Sequence, residues 1–187
     1  MPGTESKREE IVRLAFSRFY DGGFHATGVD TILAESGISK RTLYKYFPSK
    51  EDLIEAVLDF YGEDIIRELF DPLPSNADPR EQILRFFDIR REMMEKEPTR
   101  GCLGIKASQE FSGKNAEIAR HGAKAPRRVE ERFTTLCIAA GYKRAGDLGR
   151  QINILFQGAL LLAQVFNEVA PFVAAKEAVK VLLDRTE

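Results

Sequence analysis

The chain has 187 residues with 28 basic and 29 acidic side chains, so its formal net charge is −1. This length fits one or two small domains, and a hydrophobic content of 43% is enough for a buried core. Two cysteines are too few for a disulfide framework. The polar start MPGTESKREE lacks the apolar region of a signal peptide, and no apolar run is long enough to span a membrane. We therefore expect a cytoplasmic protein without a membrane partner.

The first predicted helix covers about residues 5–20, because Ile11, Leu14 and Phe19 recur at helical spacing. Glycines at 22 and 23 end it. Residues 26–50, ATGVDTILAESGISKRTLYKYFPSK, then predict two short helices joined by a tight turn. We expect Thr27 to cap the first of these, in a capping box with Asp30, and Gly37 to form the turn.

The second short helix is predicted from Lys40 to Phe47, with Ser39 as its N-cap and Pro48 as its end. Four cations and no acid lie between residues 36 and 50, although the whole chain is nearly neutral. Helical geometry puts Leu43 and Phe47 on the inner face and long donors on the outer face. Two helices with a glycine turn and a cationic second helix are typical of a helix-turn-helix that enters the DNA major groove.

The segment FYDGGFHATGVDTILAESGISKRTLYKYFPSKEDLIEAVL resembles the N-terminal domain of the TetR family of bacterial repressors. The resemblance covers about residues 8–60. Its most specific pieces are the glycine-phenylalanine turn at 23–24, GIS at 37–39, TLY at 42–44, YF at 46–47 and SKE at 49–51. It implies a DNA-binding homodimer whose C-terminal helices bind a small-molecule effector. Without the resemblance, the same pattern also suits a solvated basic helix in an unrelated bundle.

We expect Arg41 and Thr42 to contact bases, by a guanidinium fork onto guanine and a methyl contact with thymine. Lys45 suits either a base or a phosphate. The resemblance implies phosphate contacts for Tyr44, Tyr46 and Thr27. Alternatively, Thr27 and Ser39 are simple helix caps. The predicted DNA-binding set is Thr27, Ser39, Lys40, Arg41, Thr42, Tyr44, Lys45, Tyr46 and Lys50.

The rest of the chain predicts further helices at about 50–70, from 79 to before Pro98, 102–111, 114–140, 144–166 and 171–183. Asp78 and Pro79 form a helix start, and Pro126 should kink or split its helix. No segment has the alternation of a strand. The fold class is therefore all-α, with a helix-turn-helix domain at 1–48 and a helical effector-binding and dimerisation domain at 49–187.

Aromatic and methionine side chains of the second domain suit an adaptable apolar effector pocket, and they suit an ordinary core equally well. The predicted effector-binding set is Phe86, Phe87, Met94, Phe111, Phe133, Phe156 and Gln157. The helix at 144–166 is apolar on two faces, so one face is free to cover a second copy of the chain. The predicted dimer interface is Ile154, Gly158, Leu161, Val165, Phe172 and Val179.

The sequence therefore predicts a ligand-responsive regulator that binds a double-stranded operator, most simply a repressor released by an apolar effector. The alternatives are a helix-turn-helix protein without small-molecule control and an enzyme with a helical active-site pocket. Because the chain has no phosphate loop, no HExxH and no Cys/His metal cluster, we expect no catalytic residues, no metal site and no cofactor.

Overall fold

Helices form the regular structure of this computed structural model, which describes residues 6–74 and 76–186. In these ranges the elements are α1 (Lys7–Gly22), α2 (Val29–Leu33), α3 (Lys40–Tyr46), α4 (Lys50–Phe70), α5 (Pro79–Lys96), α6 (Leu103–Glu110), α7 (Ala116–Ala139), α8 (Ala145–Phe166) and α9 (Ala170–Arg185). Since no strand occurs in the described ranges, the predicted all-α class is confirmed.

The described residues divide into two compact units. The first unit comprises residues 6–63 and 103–124, and the second comprises residues 64–102, apart from 75, and 125–186. The first unit therefore holds α1 to α3, the N-terminal part of α4, α6 and the N-terminal part of α7. The division of function at residues 48 and 49 stays a prediction.

The capping chemistry that sequence patterns indicate is largely present. The Ser39 hydroxyl accepts a hydrogen bond from the Thr42 N–H at the start of α3. Ser49 and Asp52 bond reciprocally at the start of α4, and Asp78 accepts from the first N–H groups of α5. These caps satisfy backbone donors that have no partner inside the helix, typically with a gain of about 1 kcal/mol each.

Thr27 is the exception, because the predicted capping box at α2 does not form. Gly28 is the N-cap of α2 and makes no side-chain cap bond. Thr27 is only 3% exposed, and its hydroxyl donates to the Arg18 carbonyl at 3.3 Å. It therefore attaches the end of α1 to the helix-turn-helix instead of starting α2.

The turn that leads from α1 into α2 is held from two sides. Glu110, at the end of α6, accepts hydrogen bonds from the backbone N–H groups of Phe24 and His25 and contacts His25 Nδ1 at 2.8 Å. Lys50 Nζ donates to the Phe24 carbonyl at 2.6 Å. The His25 ring also stacks on Phe111, with centroids 4.7 Å apart. This network fixes the segment that positions α2 and α3.

Aromatic rings form the centre of the second unit. Phe86, Phe133 and Phe156 are buried and pack edge to face, with centroid distances of 4.7 to 6.3 Å. Such pairs are each worth about 0.5–1.5 kcal/mol beyond the area that they bury. Cys137 lies in the same core, and burial raises the pKa of its thiol to about 11.

Pro126 is expected to kink or split its helix. Helix α7 continues through Pro126 without a break, so the proline does not split it. The amide of Asn153 on α8 donates to the Pro126 carbonyl at 3.3 Å. Gly149 allows α8 to lie close to α7, because a Cβ there would be 2.7 Å from the Thr134 nitrogen.

The Glu110 network predicts a pH-dependent contribution to stability. Burial of Glu110 opposes its ionisation, but hydrogen bonds from the His25 side chain and from the His25 and Phe24 N–H groups outweigh this and lower its pKa. A lowered pKa stabilises the fold above the ordinary value of 4.5, and the contribution is lost as the pH falls through the lower folded value. We expect Glu110→Gln to lower the free energy of unfolding at neutral pH, measured by urea titration.

The difference between wild type and Glu110→Gln should shrink as the pH falls below about 4.5. Glu63→Gln, at an exposed position of α4, is the control and should have little effect at either pH. A difference that stays constant down to acidic pH would contradict the role of the Glu110 carboxylate.

Candidate DNA-binding interface

The recognition helix α3 has a buried inner face that fixes its orientation. Leu43 and Phe47 are buried in the first unit, as is Ile38 just before the helix. The guanidinium of Arg8 on α1 lies over the Phe47 ring at 5.0 Å. The turn before α3 contains left-handed residues at Glu35 (φ 62°) and Gly37 (φ 70°), and the latter is the expected glycine turn.

The outer face of α3 presents cations and aromatic rings to solvent. Arg41, Tyr44, Lys45 and Tyr46 are all exposed. Lys45 Nζ lies 5.9 Å from the centre of the Tyr46 ring. Among the described residues, Arg41 has no hydrogen bond or ion pair, so its five donors are available to a ligand.

Lys40 is also exposed, but it forms an ion pair with Asp30 of α2 at 2.7 Å. The hydrogen bond with Asp30 raises the pKa of Lys40 and keeps it charged. The hydroxyls of Ser39 and Thr42 lie 2.9 Å apart at the start of the helix. The structure therefore brings seven of the predicted DNA-binding residues together on one short helix and its cap: Ser39, Lys40, Arg41, Thr42, Tyr44, Lys45 and Tyr46.

Thr27 and Lys50 are placed differently from those seven. The Thr27 hydroxyl is buried and bonded to the Arg18 carbonyl, so its predicted phosphate contact through the side chain is wrong for this conformation. Lys50 is half-buried, and one of its three donors holds the Phe24 carbonyl. Both residues therefore stabilise the helix-turn-helix through hydrogen bonds to backbone carbonyls.

The predicted effector-binding residues fall in both units. Phe86, Phe87, Met94, Phe133 and Phe156 belong to the buried core of the second unit. Phe111 does not join them, because it packs against Phe24 and His25 in the first unit. Its position directly after the short helix α6 gives no sign of this in the sequence.

Gln157 carries an unusual buried atom. Its amide nitrogen donates to Asn153 Oδ1 at 3.2 Å, and Asn153 in turn donates to the Pro126 carbonyl. The Gln157 Oε1 atom is buried and has no hydrogen-bond partner in the described structure. A buried acceptor without a donor costs about 1–3 kcal/mol, so a donor placed there would be stabilising.

The predicted dimer residues separate into an exposed and a buried group. Ile154, Gly158, Leu161 and Val165 lie on the exposed face of α8. A Cβ at Gly158 would meet no atom within 4 Å, so a second helix has room to approach there. Phe172 and Val179 are at most 1% exposed and fill the core of their own subunit, so placing them in an interface was wrong.

Helix α9 exposes Val173 and Val181 instead, which the sequence analysis missed. Leu162 and Phe166 of α8 are also exposed. An open apolar groove of about 530 Å³ runs between α8 and α9, lined mainly by Ile154, Gly158, Leu162, Phe166 and alanines of α9. The helical period shows that α9 has two sides, but only the packing of the second unit shows which side is buried.

None of the helices within residues 6–74 and 76–186 combines the length with the apolar composition that a membrane span requires.

Comparison with known proteins agrees with this arrangement. Residues 11–57 match the family described as bacterial regulatory proteins, tetR family. The chain is 26% identical over 189 residues to YxaF, an uncharacterised HTH-type transcriptional regulator of Bacillus subtilis, with 98% of each chain covered. KstR2 of Mycolicibacterium smegmatis, an HTH-type transcriptional repressor, is 32% identical over 90 residues, which are 48% of this chain and 44% of KstR2.

Two solved structures show the same fold over nearly the whole chain. A TetR transcriptional regulator from Chloroflexus aurantiacus has a TM-score of 0.81 at 25% identity, with 95% of this chain and 94% of that chain covered. The reduced form of Escherichia coli NemR has a TM-score of 0.84 at 22% identity, with 94% and 96% covered.

A helix-turn-helix with a solvent-facing cationic helix, joined to further helices in one chain, is the arrangement of a DNA-binding transcription regulator. Residues 11–57 are therefore a DNA-binding domain of the tetR-family type, and the whole chain is similar to TetR-family regulators.

The free guanidinium of Arg41 predicts a role in sequence readout. We expect Arg41→Ala to weaken binding to the preferred duplex by about 1–3 kcal/mol while changing binding to random duplex much less. Fluorescence anisotropy with both duplexes at one salt concentration measures this. Arg144→Ala, which removes an exposed cation paired with Asp147, is the control and should leave the specificity ratio unchanged. If Arg41→Ala loses the same affinity for both duplexes, Arg41 contacts a phosphate and does not read a base.

Proposed function

We propose that this regulator is a homodimeric repressor that binds a palindromic operator and is released by a small, largely apolar effector. The observation that carries the proposal is the outer face of α3, where Arg41 has no hydrogen-bond or ion-pair partner among the described residues. Two tyrosines and Lys45 are exposed on the same short helix. Arginine donors suit guanine edges, and lysine and tyrosine suit the phosphates on either side.

The dimer follows from the small size of that face. A helix of seven residues reads only a few base pairs, so useful specificity needs two copies on a symmetric site. The exposed apolar face of α8 and the groove beside α9 support such pairing, because solvent-exposed apolar patches of this kind usually mark interfaces.

Effector control is supported by the second unit. Gln157, whose buried Oε1 has no hydrogen-bond partner in the described structure, follows Phe156 of the phenylalanine-rich core on α8. Such a combination suits an apolar molecule that carries one hydrogen-bond donor. Both kinds of regulator occur among similar proteins: KstR2 is a repressor, and FasR of Mycolicibacterium smegmatis, a transcriptional activator, is equally similar at 32% over 89 residues. These matches cover 48% and 46% of this chain, and no more than 44% of either relative.

A second candidate function is a DNA-binding regulator without small-molecule control. The observation that favours it is the close edge-to-face packing of Phe86 against Phe133 and Phe156. These rings then form the hydrophobic core and do not line an effector pocket. Only a ligand-controlled repressor should bind an apolar molecule with a hydrogen-bond donor and then hold its operator more weakly.

The interface prediction uses two isoleucines of equal exposure. Ile154 on α8 and Ile138 on α7 are each 64% exposed. We expect Ile154→Glu to shift the mass in sedimentation at micromolar concentration from dimer to monomer, since a buried unpaired carboxylate in an interface is costly. Ile138→Glu is the matched control and should remain a dimer. A dimer that survives both Ile154→Glu and Leu161→Glu would place the interface elsewhere.

The effector prediction compares indole with indene, which have nearly the same shape but differ in the N–H donor. We expect indole to bind about 2- to 12-fold more tightly, because one hydrogen bond to Gln157 Oε1 is worth about 0.5–1.5 kcal/mol. Thermal unfolding with each compound measures the difference, and Gln157→Leu should abolish it. Indole should also weaken the operator complex; binding without that effect would favour the second candidate function.

A further inference from the structure

His121 on α7 lies among charged groups of the first unit that DNA binding does not use. The ring is 11% exposed and is surrounded by Glu55 and Asp59 of α4 and by Glu117 and Lys124 of α7. We call these five residues the His121 cluster. The chain has only two histidines, and the packing of α4 against α7 adds Glu55 and Asp59 to the Glu117–His121 pair on α7.

The Nε2 side of the ring faces two carboxylates. Nε2 lies 3.4 Å from Glu117 Oε1 and 3.8 Å from Glu55 Oε2. One ligand atom from each of the three residues lies within 4.8 Å of the others. Zinc bonds to nitrogen and oxygen are about 2.0–2.2 Å long, which puts the ligand atoms of a tetrahedral site roughly 3.4 Å apart. The three atoms therefore stand close to the spacing that an ion requires.

The backbone supplies this geometry with little freedom. Glu117 and His121 are separated by one helical turn, so both side chains project from the same face of α7. Glu55 faces them from α4. Two helices of one unit thus contribute the three groups, and the largely covered ring of His121 lies among their carboxylates.

The Nδ1 side of the ring meets a third carboxylate. Nδ1 lies 3.3 Å from Asp59 Oδ1, and Lys124 Nζ lies 3.0 Å from Nδ1 and 2.7 Å from the same Asp59 oxygen. Because the Lys124 ammonium can only donate, binding of a metal ion at Nε2 requires Lys124 to keep its bond to Asp59 alone while Nδ1 carries the proton and donates it to Asp59. The lone pair of Nε2 is then directed between Glu55 and Glu117. A carboxylate behind the ligating histidine is the usual second partner in zinc sites, where it orients the ring and raises its basicity.

The charges around the ring favour a cation. The three carboxylates are opposed by Lys124, which pairs with Asp59, and by Arg120, which pairs with Glu117. With a neutral imidazole these five charged groups sum to −1. The pair between Arg120 and Glu117 is more than half exposed, so its loss to a metal ion costs little.

We propose that Glu55, Glu117 and His121 bind a divalent transition-metal ion of the zinc type, with water completing a tetrahedral shell and Asp59 as a positioning residue. One imidazole and two carboxylates suit zinc better than magnesium, which prefers oxygen ligands in an octahedral shell. The ion bridges α4 and α7 within the first unit. This site is separate from the proposed effector and does not depend on the repressor function.

Titration of the chelator-treated full-length protein with zinc chloride tests the site, in competition with a chromogenic zinc chelator. We expect one zinc ion per chain and a rise in the midpoint of thermal unfolding, since an ion that binds only the folded state stabilises it. His121→Asn, Glu55→Gln and Glu117→Gln should each lose this ion. The same titration with magnesium chloride should show no comparable binding.

The other histidine provides a matched control. His25 also contacts a carboxylate, that of Glu110, but only one, so His25→Asn should keep full zinc binding. Asp59→Asn should keep the stoichiometry and weaken zinc about 10- to 100-fold, as expected for the loss of an outer partner. Cobalt in place of zinc should give a tetrahedral spectrum without thiolate charge-transfer bands, which excludes Cys102 and Cys137 as ligands.

Three results would overturn the site. They are no zinc bound in competition with the chelator, zinc retained by His121→Asn at unchanged affinity, and magnesium bound as tightly as zinc. Circular dichroism without metal checks that the variants are folded, and the agreement of three separate ligand variants guards against the misfolding of one.

Discussion

Phe24 joins the segment before the helix-turn-helix to three other parts of the first unit. Its ring is buried against Phe19 of α1 and Phe111 beyond α6. Its N–H group donates to Glu110 and its carbonyl accepts from Lys50 of α4. Because the ring and both backbone groups are fixed, the chain enters α2 in one direction. The orientation of α3, and so the surface offered to DNA, depends on this residue.

The chain combines near neutrality with a concentrated positive face. Its 28 cations and 29 acids almost cancel, and many cations outside α3 are paired at the surface within one or two helical turns. The outer face of α3 departs from this pattern, because Arg41 and Lys45 have no carboxylate beside them in the described structure. Attraction to phosphates is consequently local, and it directs one helix rather than the whole surface toward DNA.

Apolar side chains are distributed in two different ways in the second unit. Phe86, Phe133 and Phe156 meet ring to ring in the core, whereas Ile154 and Val165 face solvent from α8. A helix with apolar residues on both sides must cover the second side with another molecule or leave it in water. The same helix also carries Gln157, whose buried Oε1 has no hydrogen-bond partner in the described structure. Helix α8 is therefore the element on which both assembly and ligand response are proposed to rest.

The sequence by itself determined the helix class, the helix-turn-helix and the outer face of α3. These depend on local rules: the Ser39 cap, the glycine at 37 and the spacing of Leu43 and Phe47 act within a few residues of one another. Helix bounds followed from the same rules, as at Asp78 and Pro79.

Only the tertiary structure showed the roles of residues whose contacts lie far away along the chain. Thr27 looks like a cap until the Arg18 carbonyl is seen to accept its hydroxyl, and Phe111 looks like a pocket residue until it is found against Phe24. Phe172 and Val179 have the period of an interface stripe, but α9 turns that stripe into its own core. His121 and Glu55 are 66 positions apart, and only the packing of α7 on α4 brings them together. A periodic pattern shows which residues share a side of a helix, whereas the neighbour that covers that side is set by the whole fold.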